Sequence, residues 1–215
     1  MPFTDLVLPL HVDLGATFLF ALSGALAAAQ RRYDPVGLFV LALVTGVGGG
    51  LLRDGLFLQQ GPPAFLHEPM YLLVVAAASV LGYFFAAALA RISGLLFVAD
   101  ALGLGAYAVV GAQKSLVLGL GVAPAILIGV VNAVGGGLLR DVLVREEPFL
   151  FKPGDFYALV AASGAGLFCL LAVQQGWPSG QAAAVAIPVT FALRLLSHRL
   201  GWTTRPARPG PTSST

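Results

Sequence analysis

Seven runs of mostly apolar residues alternate along this chain with short polar or proline-containing breaks. The runs cover 14–30, 36–58, 69–90, 94–112, 119–144, 155–174 and 181–199. An α-helix needs about 20 apolar residues to cross the hydrocarbon core of a bilayer, so each run predicts one membrane helix. The breaks are clear: Arg31-Arg32-Tyr33-Asp34-Pro35, Gln59-Gln60-Gly61-Pro62-Pro63, the tight turn Arg91-Ile92-Ser93-Gly94, Glu146-Glu147-Pro148 and Trp177-Pro178-Ser179-Gly180. The pattern is that of an all-α, polytopic membrane protein.

The pattern also repeats. Val47-Gly48-Gly49-Gly50-Leu51-Leu52-Arg53-Asp54 recurs unchanged as Val134-Gly135-Gly136-Gly137-Leu138-Leu139-Arg140-Asp141, 87 residues later. The same offset matches Asp13 to Asp100, Ala21 to Ala108, Gly24 to Gly111 and Ala25 to Ala112, which indicates duplication. Each copy holds three runs, an odd number, so the second copy must enter the membrane from the opposite side. The expected organisation is a three-helix repeat in 1–93, an inverted repeat in 94–176, a seventh helix in 177–200 and a disordered cytoplasmic tail in 201–215. Inverted repeats of this kind are a recurring plan of transporters and some channels, with the site near the midplane where the repeats meet.

Composition narrows the class. Hydrophobic residues make up 58% of the chain and charged residues 10%, against about a quarter charged in an ordinary soluble domain. A net charge of +2 is too small to point to nucleic acid, and the partner is the lipid bilayer. Cys169 is the single cysteine; it excludes an intrachain disulfide and a CxxC site, and its apolar neighbours predict a buried, inert thiol. Residues 1–13 carry no Lys or Arg, so the positive region of a secretory signal is missing and helix 1 is expected to be retained. With the N-terminus outside, nine of the twelve Lys and Arg residues fall on the cytoplasmic side: Arg31, Arg32, Arg91, Arg145, Lys152, Arg194, Arg199, Arg205 and Arg208. Only Lys114 falls outside, while Arg53 and Arg140 lie within runs. The positive-inside bias therefore predicts N-out and C-in, in the cell's inner (plasma) membrane.

The glycines carry the candidate chemistry. Each of three consecutive glycines weakens a helix by about 1 kcal/mol relative to alanine, so both triplets predict broken helices. Such breaks are tolerated only inside protein or beside a wet cavity, where freed carbonyls can face a cation. Gly48, Gly49, Gly50, Gly135, Gly136 and Gly137 are thus candidate pathway residues. Leucine at Gly49 or Gly136 is expected to abolish flux and leave assembly intact. The alternative, close helix crossing with no ion present, stays open. No GxGxxG or Gly-Lys-Ser/Thr spacing is present, and an enzyme is not expected.

Arg53, Asp54, Arg140 and Asp141 follow the glycines. Neighbours on a helix point about 100° apart, so each is expected to pair with another helix or else to line the pathway. Asp13 reads as a helix N-cap, with interior ionisable pairing as its other candidate role. Asp100 lies too deep for that and calls for an interior partner, such as an Arg of helix 2 or 5. Lys114 has Ala27 as its repeat counterpart; it is either a snorkelling end residue or a charge at the outer mouth that tunes cation access. His11, His67 and His198 are too scattered for a metal site. No cofactor is expected beyond permeant potassium or sodium, with lipid the other candidate ligand.

These residues resemble a known family. The two GGGLLRD copies, the segment from Asp100 through Gly103, Gly105 and Tyr107 to Lys114, and the 3+3+1 plan are similar to prokaryotic members of the trimeric intracellular cation channel family. Related bacterial membrane proteins named as glycine transporters share these motifs. The resemblance covers about residues 10–200. It implies a homotrimer with one ion pathway per protomer, lined by kinked helices 2 and 5 and conducting potassium and, less selectively, sodium. The Lys-Glu pair of helix 4 in animal members is not matched, since Ser115 follows Lys114, and lipid regulation through that pair is not implied. The competing readings are a secondary carrier for a small solute such as glycine and a non-transporting scaffold.

Overall fold

Helices begin and end at the polar breaks. The computed structural model describes residues 8–59, 61–89, 94–151 and 156–204. Arg91, Lys152, Arg205, Arg208, the 91–93 turn and most of the 201–215 tail lie outside the described residues. Helix α1 covers Leu10–Gln30. Helix α2 covers Pro35–Leu52 and continues through a π-helical stretch, Arg53–Leu58. Its start is set by Asp34, whose side chain accepts from the Gly37 N–H at 2.7 Å, and by Pro35 in the first turn, where a missing N–H costs nothing. The next three are α3 (Met70–Leu89), α4 (Leu95–Val117) and α5 (Val122–Leu143). Helix α6 covers Tyr157–Cys169 with a π-helical continuation Leu170–Gln174, and α7 covers Ser179–Arg199. Short helical turns at Ala64–His67 and Phe149–Phe151 follow α2 and α5.

The helices alternate in direction, which defines two faces. The start of α1 and the ends of α2, α4 and α6 share one, called here the N-terminal face. The ends of α1, α3, α5 and α7 share the other, the C-terminal face. Among the described residues, every long helix except α4 is long and apolar enough to cross a membrane. Helix α4 sits innermost and packs on α1, α5, α6 and α7. That shelter lets it carry Asp100, Gln113 and Lys114, which lipid would not tolerate. It also runs to Val117, beyond the expected end at 112, because protein rather than lipid solvates its polar end.

Helices α2 and α5 cross at the glycines with backbone against backbone. A Cβ on Gly49 would fall on the Asn132 carbonyl oxygen, and one on Gly136 would fall on that of Thr45. A Cβ on Gly48 would come within 2.8 Å of Leu139 Cδ1, and one on Gly135 within 2.8 Å of Leu52 Cδ1. Every one of these pairs maps onto its partner under the 87-residue offset. The two repeats are therefore related by a pseudo-two-fold axis through this crossing. Phe20 and Tyr107, also 87 apart, stack on each other with ring centres 5.2 Å apart. Gly24 and Gly111 complete the set: a Cβ on either would collide with Thr45 and Leu41, or with Asn132 and Ile128.

The expected helix breaks are not there. Both α2 and α5 remain helical through their glycine triplets. The physical reason is that tight crossing supplies contact energy offsetting the weak helix propensity, as in small-residue interfaces of membrane helices. A leucine at Gly49 or Gly136 would have to push apart the two central helices.

Helix α7 docks on the second repeat. A Cβ on Gly105 of α4 would lie 3.0 Å from the Ile187 carbonyl oxygen and 3.2 Å from Thr190 Cβ, and one on Gly164 of α6 would strike Thr190 Oγ1. Cys169 is buried in the same core.

Alanine at Gly49 or Gly136 is expected to destabilise the protein by about 1–3 kcal/mol or more through backbone overpacking. Alanine at Gly55, where nothing lies within 4 Å, is expected to leave stability unchanged or raise it. Thermal unfolding in detergent checks the contrast; equal midpoints for the Gly49→Ala and Gly55→Ala variants would show that the crossing tolerates a side chain.

Candidate functional site

Two polar vestibules lie on opposite faces of the bundle, one on each side of the glycine crossing. The vestibule on the N-terminal face is lined by Asp13, Thr17, Gly50, Arg53, Asp54, Tyr71 and Tyr107, among others. The one on the C-terminal face is lined by Ser23, Asp100, Gly137, Arg140, Asp141, Tyr157 and Arg194, among others. Asp13, Gly50, Arg53 and Asp54 correspond to Asp100, Gly137, Arg140 and Asp141 under the 87-residue offset. Each repeat therefore builds one vestibule in the same way: an Asp from its first helix, a glycine and an Arg-Asp pair from its second, and a Tyr from its third.

Asp13 is 9% exposed and is not an N-cap; α1 begins at Leu10 with no side-chain cap. Its Oδ2 accepts from the Tyr71 hydroxyl at 2.7 Å and from Lys114 Nζ at 3.1 Å. A carboxylate at that depth needs donors more than the helix end does. The Asp100 carboxylate accepts from the Tyr157 hydroxyl at 3.2 Å, and Arg140 and Arg194 lie within electrostatic reach of it. The two Tyr residues stand at almost the same repeat position, 86 residues apart, which is the signal that could have found them.

The Arg-Asp pairs close on themselves in both repeats, against the expectation from helix geometry. Arg53 donates through Nε and Nη2 to the two oxygens of Asp54 at 2.6 and 2.7 Å. Arg140 Nε and Nη2 lie 3.0 and 2.9 Å from Asp141 Oδ1. A long Arg side chain can curl across the angular gap, and deep burial rewards a partner that adds no further desolvated charge. Each guanidinium still has a donor left to cross between repeats: Arg53 Nη1 donates to Asn132 Oδ1 at 3.0 Å, and Arg140 Nη1 donates to Ser23 Oγ. The second carboxylate oxygens receive backbone N–H groups from the following loops, Ala64 at 3.5 Å and Phe149 at 3.1 Å.

Between the vestibules the molecule is closed. Gly48, Gly49, Gly135 and Gly136 are buried in the crossing, while Gly50 and Gly137 border the vestibules. The stacked Phe20 and Tyr107 rings lie beside it. The Tyr107 hydroxyl donates to the Gly46 carbonyl at 2.5 Å and lies 2.7 Å from Thr17 Oγ1. Asn132 donates to the Tyr107 carbonyl at 2.7 Å. Thr17 and Tyr107 were not legible as site residues, because nothing along the chain distinguishes them from other small or aromatic core positions; Asn132, the single asparagine of the chain and set within an apolar run, was the signal that sequence reasoning missed.

The vestibules are unequal. The one on the C-terminal face has about 320 Å³ of free volume and the other about 20 Å³, room for roughly one water. Lys114, from the second repeat, closes on Asp13 over the narrow one; its repeat counterpart Ala27 leaves the wide one open. Arg194, counted above with the loop charges, is instead buried inside α7 at 2% exposure and lines the wide vestibule. At that rim Arg31 pairs with Glu146.

Comparison with known proteins fits this geometry. A family profile described as glycine transporter matches residues 10–87 and again residues 97–173, the same 87-residue step. A UPF0126 membrane protein of Deinococcus radiodurans is 37% identical over 201 residues, covering 93% of this chain and 92% of that protein. The solved structure of a trimeric intracellular cation (TRIC) channel orthologue from Rhodobacter sphaeroides is 35% identical with a TM-score of 0.78, covering 89% of this chain and 95% of that one. A second solved structure, described in terms of conductance through TRIC cation channels, is 30% identical with a TM-score of 0.83, covering 96% of this chain and all of that one. Both profile matches contain one vestibule-building repeat, and this chain therefore belongs to the glycine-transporter (UPF0126) family of multi-pass membrane proteins, with the fold of the TRIC cation channels.

Proposed function

We propose that this protein is a monovalent cation channel, permeable to potassium, with one pathway inside each protomer of a homotrimer. The observation that carries this reading is the pair of symmetry-related polar vestibules, each combining carboxylates with basic side chains, that face opposite sides and meet at a barrier one helix crossing thick. Asp13 and Asp54 on one side, and Asp100 and Asp141 on the other, supply carboxylate oxygens that suit a cation. Similarity to solved cation channels at 35% and 30% identity supports the same conclusion.

In this reading the pathway is shut at the glycine crossing. Gly48, Gly49, Gly135 and Gly136 form the barrier, and conduction requires α2 and α5 to tilt or part there. Glycines leave no side chains to disengage, so a small displacement opens backbone carbonyls to water and ions. Lys114 over Asp13 narrows the access on the N-terminal face. The charge bias of the sequence places that face outside and the C-terminal face in the cytoplasm, with the protein in the inner membrane.

A second reading draws on the unequal vestibules. One open and one closed cavity around an occluded centre is also what an alternating-access carrier presents, and the family description names glycine. The two readings separate by experiment. Purified protein in a planar bilayer is expected to give unitary potassium currents whose reversal follows the potassium gradient, with sodium carrying less. Saturable, proton- or sodium-coupled glycine uptake without unitary events would instead establish the carrier.

Replacement of Lys114 by Gln removes the cation that Asp13 holds. At 0.1 M KCl the current carried by ions entering from the N-terminal face is expected to rise about two- to fivefold, and the difference should collapse at 1 M, where the Debye length is about 3 Å. Unchanged current at low salt would remove Lys114 from the pathway.

A further inference from the structure

Helix α7 stands outside the duplicated plan, beyond both family-profile matches, yet it carries a charge into the molecule. The Arg194 guanidinium carbon lies 5.1 Å from the ring centre of Phe97, 5.3 Å from that of Phe149 and 5.0 Å from that of Tyr157. The negative faces of three aromatic rings attract one cation and fix its place. The rings come from α4, from the turn after α5 and from α6, so the second repeat builds the enclosure and α7 fills it. The same side chain borders the wide vestibule beside Asp100, Arg140 and Asp141.

The pseudo-two-fold axis shows what this charge does there. The narrow vestibule sets two carboxylates, Asp13 and Asp54, against two cations, Arg53 and Lys114. Rotation onto the wide vestibule yields Asp100, Asp141 and Arg140, but Ala27 where the fourth charge should stand; Ala27 indeed lines that cavity. The duplicated residues alone would leave the inner part of the wide vestibule with one uncompensated carboxylate. Farther out, Arg31 pairs with Glu146, and Glu147 is open to solvent.

We propose that Arg194 is the counterpart of Lys114: the seventh helix supplies the cation that duplication omitted, and this fixed charge sets how many cations the C-terminal vestibule holds and so the current carried from that face. The proposal rests on the channel reading. The two cations differ in kind. Lys114 is partly exposed and held by one carboxylate, so it can swing. Arg194 is enclosed by rings and acts as a constant charge that tunes conductance without gating it.

The test uses the full-length protein in planar bilayers at 0.1 M and 1 M KCl. Arg194→Gln is expected to raise the potassium current entering from the C-terminal face about two- to fivefold at 0.1 M, rectifying in the sense opposite to Lys114→Gln. The effect should vanish at 1 M, where screening reaches about 3 Å. Arg194→Lys should keep the wild-type curve. Asp100→Asn should reduce current from the same face, and the D100N/R194Q double variant should return towards wild type. If R194Q fails to assemble, D100N and R194K carry the test, and a D100N curve matching wild type at 0.1 M overturns the proposal. A wild-type curve from assembled R194Q, or a change that persists undiminished at 1 M, also overturns it while leaving the channel intact. Absence of unitary current from wild-type protein overturns the channel reading and this proposal together.

Discussion

Gly49 stands against the carbonyl of Asn132, and Gly136 stands against that of Thr45, so at these two points α2 and α5 meet with no side chain between them. Between membrane helices the hydrophobic effect contributes little, since lipid tails are as apolar as leucine, and close contact supplies the stability instead. The crossing lies on the pseudo-two-fold axis, so one contact serves both repeats. It also places the Arg-Asp pairs one turn beyond the glycines, on opposite faces. The vestibules, their separation and their shared wall all follow from this approach.

Charge deep in a low-dielectric interior must be partnered or neutralised. Four carboxylates and three arginines line the inner vestibules, and Lys114 joins them through Asp13. The Arg-Asp pairs are local, which makes them robust to movement of other helices. Their remaining donors reach across the repeats to Asn132 and Ser23, and their remaining acceptors hold the loops after α2 and α5. Each pair thus couples the helix crossing to the mouth of its own vestibule. Asp13 and Asp100 differ more. A Tyr serves each, but the added cation is a partly exposed lysine on one side and a ring-enclosed arginine on the other.

Exact symmetry between the halves is broken in several places. Helix α2 ends in a π-helical stretch whereas α5 stays α-helical to Leu143. Lys114 has no counterpart in the first repeat, and α7 packs on the second repeat through Thr190 against Gly105 and Gly164. The narrow vestibule lies on the side with the π-helical end and the lysine. The wide vestibule lies on the side that α7 supports.

Seven apolar runs and one eight-residue identity were enough to read the helix count, the duplication and the opposed orientation of its copies, because those follow from bilayer thickness and parity. The fate of the glycines was not readable in the same way. Propensity, a local property, argues for a break; only the neighbouring helix, bringing backbone contact from 87 residues away, keeps α2 and α5 continuous. The Arg-Asp pairing escaped for a related reason, since angular spacing describes where Cβ atoms point and not where a long guanidinium can return. Tyr71, Tyr157 and Arg194 became site residues only when folding set them beside Asp13, which is buried, and Asp100, which is half-buried. The chain alone determined which segments cross the membrane and which residues are costly to bury. The tertiary structure decided who compensates that cost, because compensation depends on distances between helices that no local pattern contains.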